Sequence, residues 1–188
     1  MLGRLPPSFV VTTLSHPLKQ RLFTCGVLSN LIYIPTDYLY FTFGRRLEEL
    51  GGGQLRRTLT PENMETVRRE VLLAIEMQGK PFLSFFNDTQ DLARAAARER
   101  GSPGEFLDCD PKDPHVAEAR AYSWILADEL DKALADLHYL ISDPELKPEE
   151  EWEFVIQQRA REVLAVLNRG PEQAKALLTE HDPPLVET

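Results

Sequence analysis

The sequence lacks several features that identify common classes of protein. It has only two cysteines, Cys25 and Cys109, which lie far apart in the chain and suggest no disulfide framework. No run approaches the roughly 20 apolar residues that a membrane helix needs, and the N-terminus has no signal-peptide pattern. We therefore expect a cytoplasmic protein with two reduced thiols and no membrane partner.

Motifs for nucleotide or metal binding are also missing. The triple glycine at 51–53 is no phosphate loop, because no Gly-Lys-Ser/Thr follows it and the spacing of a dinucleotide motif is absent. The strongest candidates for a metal ligand or nucleophile are Cys109, Asp110, Asp113 and His115. Their Cys-x5-His pattern lacks the paired spacing of a zinc site, and Asp113 is already explained as a helix N-cap. The sequence thus indicates no cofactor and no metal.

Charge is divided unevenly along the chain. Residues 1–104 carry 13 Lys/Arg and 10 Asp/Glu, a net charge of +3, whereas residues 105–188 carry 8 Lys/Arg and 20 Asp/Glu, a net charge of −12. An acidic surface repels nucleic-acid phosphates and attracts basic proteins. We expect a protein partner of basic character and no nucleic acid. The alternative is a solvated surface that only promotes solubility.

The first 60 residues have the pattern of strands. Segments rich in β-branched residues or with alternating polarity cover residues 8–14, 21–28, 38–43 and 55–59. Their connections are too short for parallel crossovers, so the strands are expected to pair antiparallel. From Thr60 onward the apolar residues recur at helical spacing. The predicted fold class is α+β, with a small, mostly antiparallel N-terminal sheet followed by a helical, repeat-like C-terminal half.

Residues 113–141 are predicted to form two helices packed as a hairpin, around which the rest is organised. Asp113 suits the N-cap and Pro114 the first helical turn. Ala121 and Trp124 belong to the apolar stripe of the first helix. The Gly- and Pro-rich segment 101–112 before the hairpin is the expected linker. It divides the chain into a sheet with two helices (1–104) and helical hairpins (105–188), unless the two parts form one continuous domain.

The hairpins within residues 114–180 resemble tetratricopeptide repeats, which need small residues where helices touch and bulky residues between them. The matching residues are Ala121, Trp124, Ala133, Leu137, Ala174 and Leu178. The chain departs from the pattern in the second hairpin. There, Glu162 and Ala165 occupy the small and aromatic positions, and the offset from Ala133 to Ala174 is 41 residues rather than 34.

A second resemblance covers most of the chain. The chain is similar to uncharacterised bacterial proteins that join a small sheet to repeat-like helices. The similarity lies in segment 31–47, segment 81–83 and the paired helices that follow them. That resemblance implies an immunity or adaptor protein and carries no catalytic residue. Protein binding without catalysis is therefore the preferred function. The tentative partner-binding acids lie together at one place in the acidic half: Glu145, Glu149, Glu150 and Glu153.

The alternative function is a small enzyme, with an unknown reaction, at the junction of sheet and helices. Its candidate residues are His16, Asp37 and the pairs Arg45/Arg46, Arg56/Arg57 and Arg68/Arg69. Whether the three arginine pairs form an anion site is left open. A deep pocket with convergent polar groups at the junction favours the enzyme, whereas a flat or filled junction favours binding.

Overall fold

The computed structural model describes residues 8–15, 21–30, 34, 41–48, 56–58, 60–86, 88–100, 102, 110–143, 146 and 148–180. The α-helices within these ranges are α1 Met64–Ala74, α2 Lys80–Ser84, α3 Thr89–Ala96, α4 Pro114–Leu126, α5 Leu130–Ser142, α6 Glu151–Leu167 and α7 Pro171–Thr179. A π-helical turn, Ile75–Gly79, joins α1 to α2.

Four described segments within residues 8–58 pair as antiparallel strands. They are β1 Ser8–Ser15, β2 Arg21–Asn30, β3 Phe41–Arg46 and β4 Arg56–Thr58. Strand β2 pairs with β1 along one edge, with Val11 opposite Cys25. Its other edge pairs with β3, where Leu28 is opposite Gly44, and with β4, where Phe23 is opposite Arg57. Two strands thus share one edge of β2.

The predicted α+β class is wrong as a description of the core. Of the residues whose side chains the structure describes, 71% are helical, and no sheet layer is found among them. Apart from Ile34 and Leu47, every member of the described hydrophobic core lies on a helix. Ten of the buried residues are alanines, which let helices approach closely but add little to a hydrophobic pattern. The described fold is therefore mainly helical.

Helix α4 is the centre of the helical core. It contacts α3, α5, α6 and α7, as well as β3. Every residue from Val116 to Leu126 except Arg120 is buried. A helix surrounded on all sides needs apolar residues on all sides, and only Glu118 and Arg120 carry charge within this segment. The predicted stripe through Ala121 and Trp124 is buried as expected, but it is only one side of a fully enclosed helix.

The predicted helix N-cap at Asp113 is confirmed, and Asp88 caps a second helix in the same way. Asp113 Oδ1 accepts a hydrogen bond of 2.8 Å from the His115 N–H, and Pro114 stands in the first turn of α4. Asp88 Oδ1 accepts one of 2.8 Å from the Asp91 N–H at the start of α3. Both carboxylates satisfy a backbone donor that has no partner within its helix.

Two predicted helix boundaries are wrong. Helix α1 begins at Met64 rather than after Thr60, because Thr60 and Asn63 bind each other's backbone N–H groups in a turn before the helix. Gly79 and Pro81 are residue types that predict the end of a helix, but the helical path continues through both. Pro81 instead occupies the first turn of α2, where a missing N–H breaks no helical hydrogen bond.

The repeat assignment for residues 114–180 stays a prediction. Helix α6 packs against both α4 and α5, and α7 packs against α6 and α4. The division of the chain at residues 104 and 105 also stays a prediction. Across that position, α3 packs on α4. Within the described part of the chain, no helix combines the length and apolar character required to cross a bilayer.

Candidate functional site

The candidate site lies where the first turn of α6 meets the start of α4 and the end of α5. A small cleft there has a volume of about 70 Å³. Its lining residues, which define the α6 cleft, are Pro114, Leu140, Leu146, Pro148, Glu153, Ile156 and Gln157. Five of these are apolar, and Glu153 is the one carboxylate among them. The cleft therefore combines an apolar interior with a single acidic group.

Of the predicted partner-binding acids, Glu153 lines this cleft, and Glu150 and Glu153 cap α6. Glu153 Oε2 accepts the backbone N–H groups of Glu149 at 2.6 Å and Glu150 at 3.0 Å. The Glu150 side chain in turn accepts the N–H of Glu153, which completes a capping box. These backbone hydrogen bonds lower the pKa of Glu153. Glu145 lies outside the described residues.

Beside the cleft, the rings of His115 and Trp152 are stacked. Their centroids are 4.5 Å apart and their planes differ by 9°. The Trp152 indole N–H donates to Glu150 Oε2 at 2.7 Å, which ties the stack to the capping box. Burial is the main reason that the pKa of His115 is lowered, and Arg159 lowers it further against the opposing effect of Asp113. His115 therefore stays neutral at neutral pH.

A buried ionic cluster lies under the stack. Arg159 on α6 donates to both carboxylate oxygens of Glu118 on α4, at 2.7 Å each. The Tyr122 hydroxyl donates to Glu118 Oε1 at 3.0 Å. Burial raises the pKa of Glu118, while Arg159 and Tyr122 oppose that rise. The sequence analysis missed this cluster, although a lone glutamate in an alanine-rich helix was a signal for it.

The solvent side of α6 presents two large apolar residues. Phe154 is 55% exposed and Val155 is 43% exposed. Helical spacing alone predicts that Val155 belongs to the buried stripe of this helix, and this prediction is wrong. We call this surface the α6 outer face, and its residues are Glu151, Phe154, Val155, Gln158, Arg161 and Glu162. Phe154 and Val155 thus lie next to acids at the start of the helix.

The candidates for the alternative enzyme are not brought together in the described part of the chain. His16, Asp37 and Cys109 lie outside it, as do the side chains of Cys25, Arg45, Arg56 and Arg57. Arg46 is exposed. Arg68 and Arg69 are exposed on α1, and both contact Glu65 one turn earlier. No cluster of three or more metal-ligating side chains is found among the residues that the structure describes.

Comparisons of this chain with protein-family models, curated proteins and solved structures find no match. The functional argument therefore depends on the geometry and chemistry of the site itself.

Proposed function

We propose that this chain is a binding protein that holds a basic protein partner on α6, in the manner of an immunity or adaptor protein. The observation that carries the proposal is the exposure of Phe154 and Val155 beside the acids of the first α6 turn. Protein interfaces typically combine an apolar centre with a polar or charged rim. The α6 outer face has both parts on one rigid helix.

The charge of this surface favours a basic partner. The positive end of the α6 dipole is equivalent to roughly half an elementary charge. Glu149, Glu150 and Glu151 are exposed at that end, and Glu153 lies in the same first turn as Glu151. The four carboxylates carry more negative charge than the positive end of the dipole neutralises, so the surface has a net negative charge. Such a surface raises the association rate with a basic protein, and the effect weakens as salt is added.

The test begins with a partner isolated from the native cells and then measured as a purified protein. Association and dissociation rates are recorded for the wild type, Phe154→Ser and Glu151→Lys over a salt series. We expect Phe154→Ser to speed dissociation about tenfold, because an apolar anchor at the interface is lost. Glu151→Lys is expected to slow association and reduce its dependence on salt.

The matched control is Glu172→Lys. Glu172 lies in the first turn of α7, so its reversal costs the same kind of helix-dipole interaction as the reversal of Glu151. It belongs to a different helix from the proposed binding surface. We expect wild-type binding rates for this control. An acidic partner, or equal rates for Phe154→Ser and wild type, would overturn the proposal.

A further inference from the structure

We propose that the α6 cleft receives a lysine side chain of the basic partner. The aliphatic stem of that lysine lies between Leu140 and Ile156, and its ammonium group lies beside Glu153. The inference rests on the proposed function and specifies the chemistry by which that partner is recognised. Both surfaces include a residue of the first α6 turn, with Glu151 in the α6 outer face and Glu153 in the cleft. A partner that covers this turn contacts both surfaces.

The size of the cleft fits lysine. A volume of about 70 Å³ is several times the roughly 10–15 Å³ that one water needs, so the cleft has room for a short side chain. A lysine side chain has five heavy atoms beyond Cα. Arginine has two more heavy atoms and ends in a planar fork, so it needs more room than lysine. Leucine and valine match the apolar walls but offer nothing to the carboxylate.

The lining has the chemistry that a lysine needs along its length. Pro114, Leu140 and Leu146 provide apolar surface for the methylene groups. The Glu153 carboxylate is ionised because backbone N–H groups stabilise its charge. Those two N–H groups both bind Oε2, which leaves Oε1 as the oxygen for an ammonium ion.

The described charges near the lining residues give a negative balance. The starts of α4 and α6 each contribute roughly half a positive charge. Against them stand Asp113 and Glu153, with the exposed Glu149 and Glu150 immediately before α6. Arg159 is bound to both oxygens of Glu118, which neutralises it, and His115 is uncharged at neutral pH. A cation is therefore favoured over an anion at this position.

The direct test is a titration of the isolated protein with n-butylammonium, which reproduces the four-carbon lysine stem and its charge. Shifts of the Leu140, Leu146 and Ile156 methyl signals are followed by NMR at pH 7 and 0.15 M salt. The neutral n-butanol is titrated in parallel. We expect saturable binding of the amine with a Kd on the order of 10 mM, given so few heavy atoms. The alcohol is expected to bind about fivefold more weakly.

A pair of variants isolates the charge at the cleft. Glu153→Gln keeps an oxygen that can accept the two capping hydrogen bonds, but it removes the negative charge. We expect about fivefold weaker amine binding and no change for the alcohol. The control Glu151→Gln removes the same charge from the same helical turn, at a residue that does not line the cleft. It is expected to change amine binding less than twofold.

The inference is overturned if the amine leaves the three methyl signals unchanged, or if amine and alcohol bind equally well. Equal effects of Glu153→Gln and Glu151→Gln on amine binding would also overturn it. Binding would then depend only on the total negative charge of this region and not on a carboxylate in the cleft. These results are independent of the partner. If the partner binds Phe154→Ser as well as it binds the wild type, the proposed function is wrong, but the result of the amine titration is unaffected. If the titration fails, only the lysine site is wrong.

Discussion

Glu118 and Arg159 form a two-point ion pair between α4 and α6, although they are 41 residues apart in the chain. The Glu118 side chain is 0% exposed and that of Arg159 is 16% exposed. Two parallel hydrogen bonds fix the orientation of both groups as well as their separation. The pair therefore sets the position of α6, and with it the α6 cleft and the α6 outer face, on the helical core.

Breaking this pair is expected to destabilise the protein strongly. Arg159→Met leaves the Glu118 carboxylate buried without its partner, which typically costs about 3–5 kcal/mol of unfolding free energy. Chemical denaturation measures the loss. The control is Arg68→Met, which breaks an ion pair whose two side chains are 69% and 65% exposed. That change should cost less than about 1 kcal/mol. Equal losses for the two variants would contradict the structural role of the buried pair.

Trp124 is predicted to be one of the most sensitive positions in the core. Its side chain is only 2% exposed, and the ammonium of Lys132 lies 4.2 Å from its ring centroid. Trp124→Ala should lower the unfolding free energy by about 3–5 kcal/mol, the range for large buried aromatics. Lys132→Met removes the cation–π contact together with the partly exposed ion pairs of Lys132 with Glu99 and Glu129, and should cost about 0.5–1 kcal/mol. A loss below about 1 kcal/mol for Trp124→Ala would contradict its place in the core.

Local chemistry explains which features could be predicted from the sequence. The cap at Asp113 depends on residues within two positions, so the sequence contains all the information that it needs. Trp124 was predicted to be buried because its neighbours on the helix are apolar, and this is confirmed. By contrast, the Asn63 side chain binds the backbone N–H of Thr60 in a turn before α1. Residue types alone do not show whether such a turn or a helix forms at this position.

Features that depend on distant parts of the chain could not be predicted. The pairing of Glu118 with Arg159 joins two helices whose relative position no local pattern encodes. Val155 lies within an apolar run, so periodicity alone could not show which residues of that run face solvent. The fold class was wrong for a related reason. β-branched segments give a strong local signal, whereas the alanines that form much of the helical core give a weak one.

The stacked histidine predicts a dependence of stability on pH. The pKa of His115 is lowered from 6.5 in the folded state, so below about pH 6.5 the unfolded chain binds a proton that the folded chain does not. The contribution of His115 to stability is therefore fully present above that pH. It is lost as the pH falls from about 6.5 towards the lower folded pKa. Acidification should thus lower the unfolding free energy.

The matched variant for this effect is His115→Phe, which keeps a ring against Trp152 but does not titrate. Unfolding free energies are measured for both proteins between about pH 7 and pH 5. The wild type should lose more stability than the variant over this interval. The lowered pKa would be contradicted if the difference in unfolding free energy between the two proteins stayed constant with pH. It would also be contradicted if acidification made the wild type more stable relative to the variant.

The acids at the start of α6 are predicted to have different roles. Some stabilise the helix, and others contribute only their negative charge to the surface. Glu150 caps the helix with its side chain, whereas Glu149 takes part in the cap through its backbone N–H. Glu150→Ala should therefore cost about 0.5–2 kcal/mol in chemical denaturation. Glu149→Ala should stay within about 0.5 kcal/mol of the wild type.

Both substitutions remove one negative charge from the same surface, so they should slow association with the basic partner by similar factors. Only one of them should also weaken the fold, and this difference separates binding from stability. A combined reversal of Glu149, Glu150 and Glu153 to lysine would disrupt the capping box at the same time, and a loss of binding would then have two causes. Equal stability of Glu149→Ala and Glu150→Ala would show that the capping box does not hold the start of α6. Unchanged association for both would show that these acids form only a solvated surface.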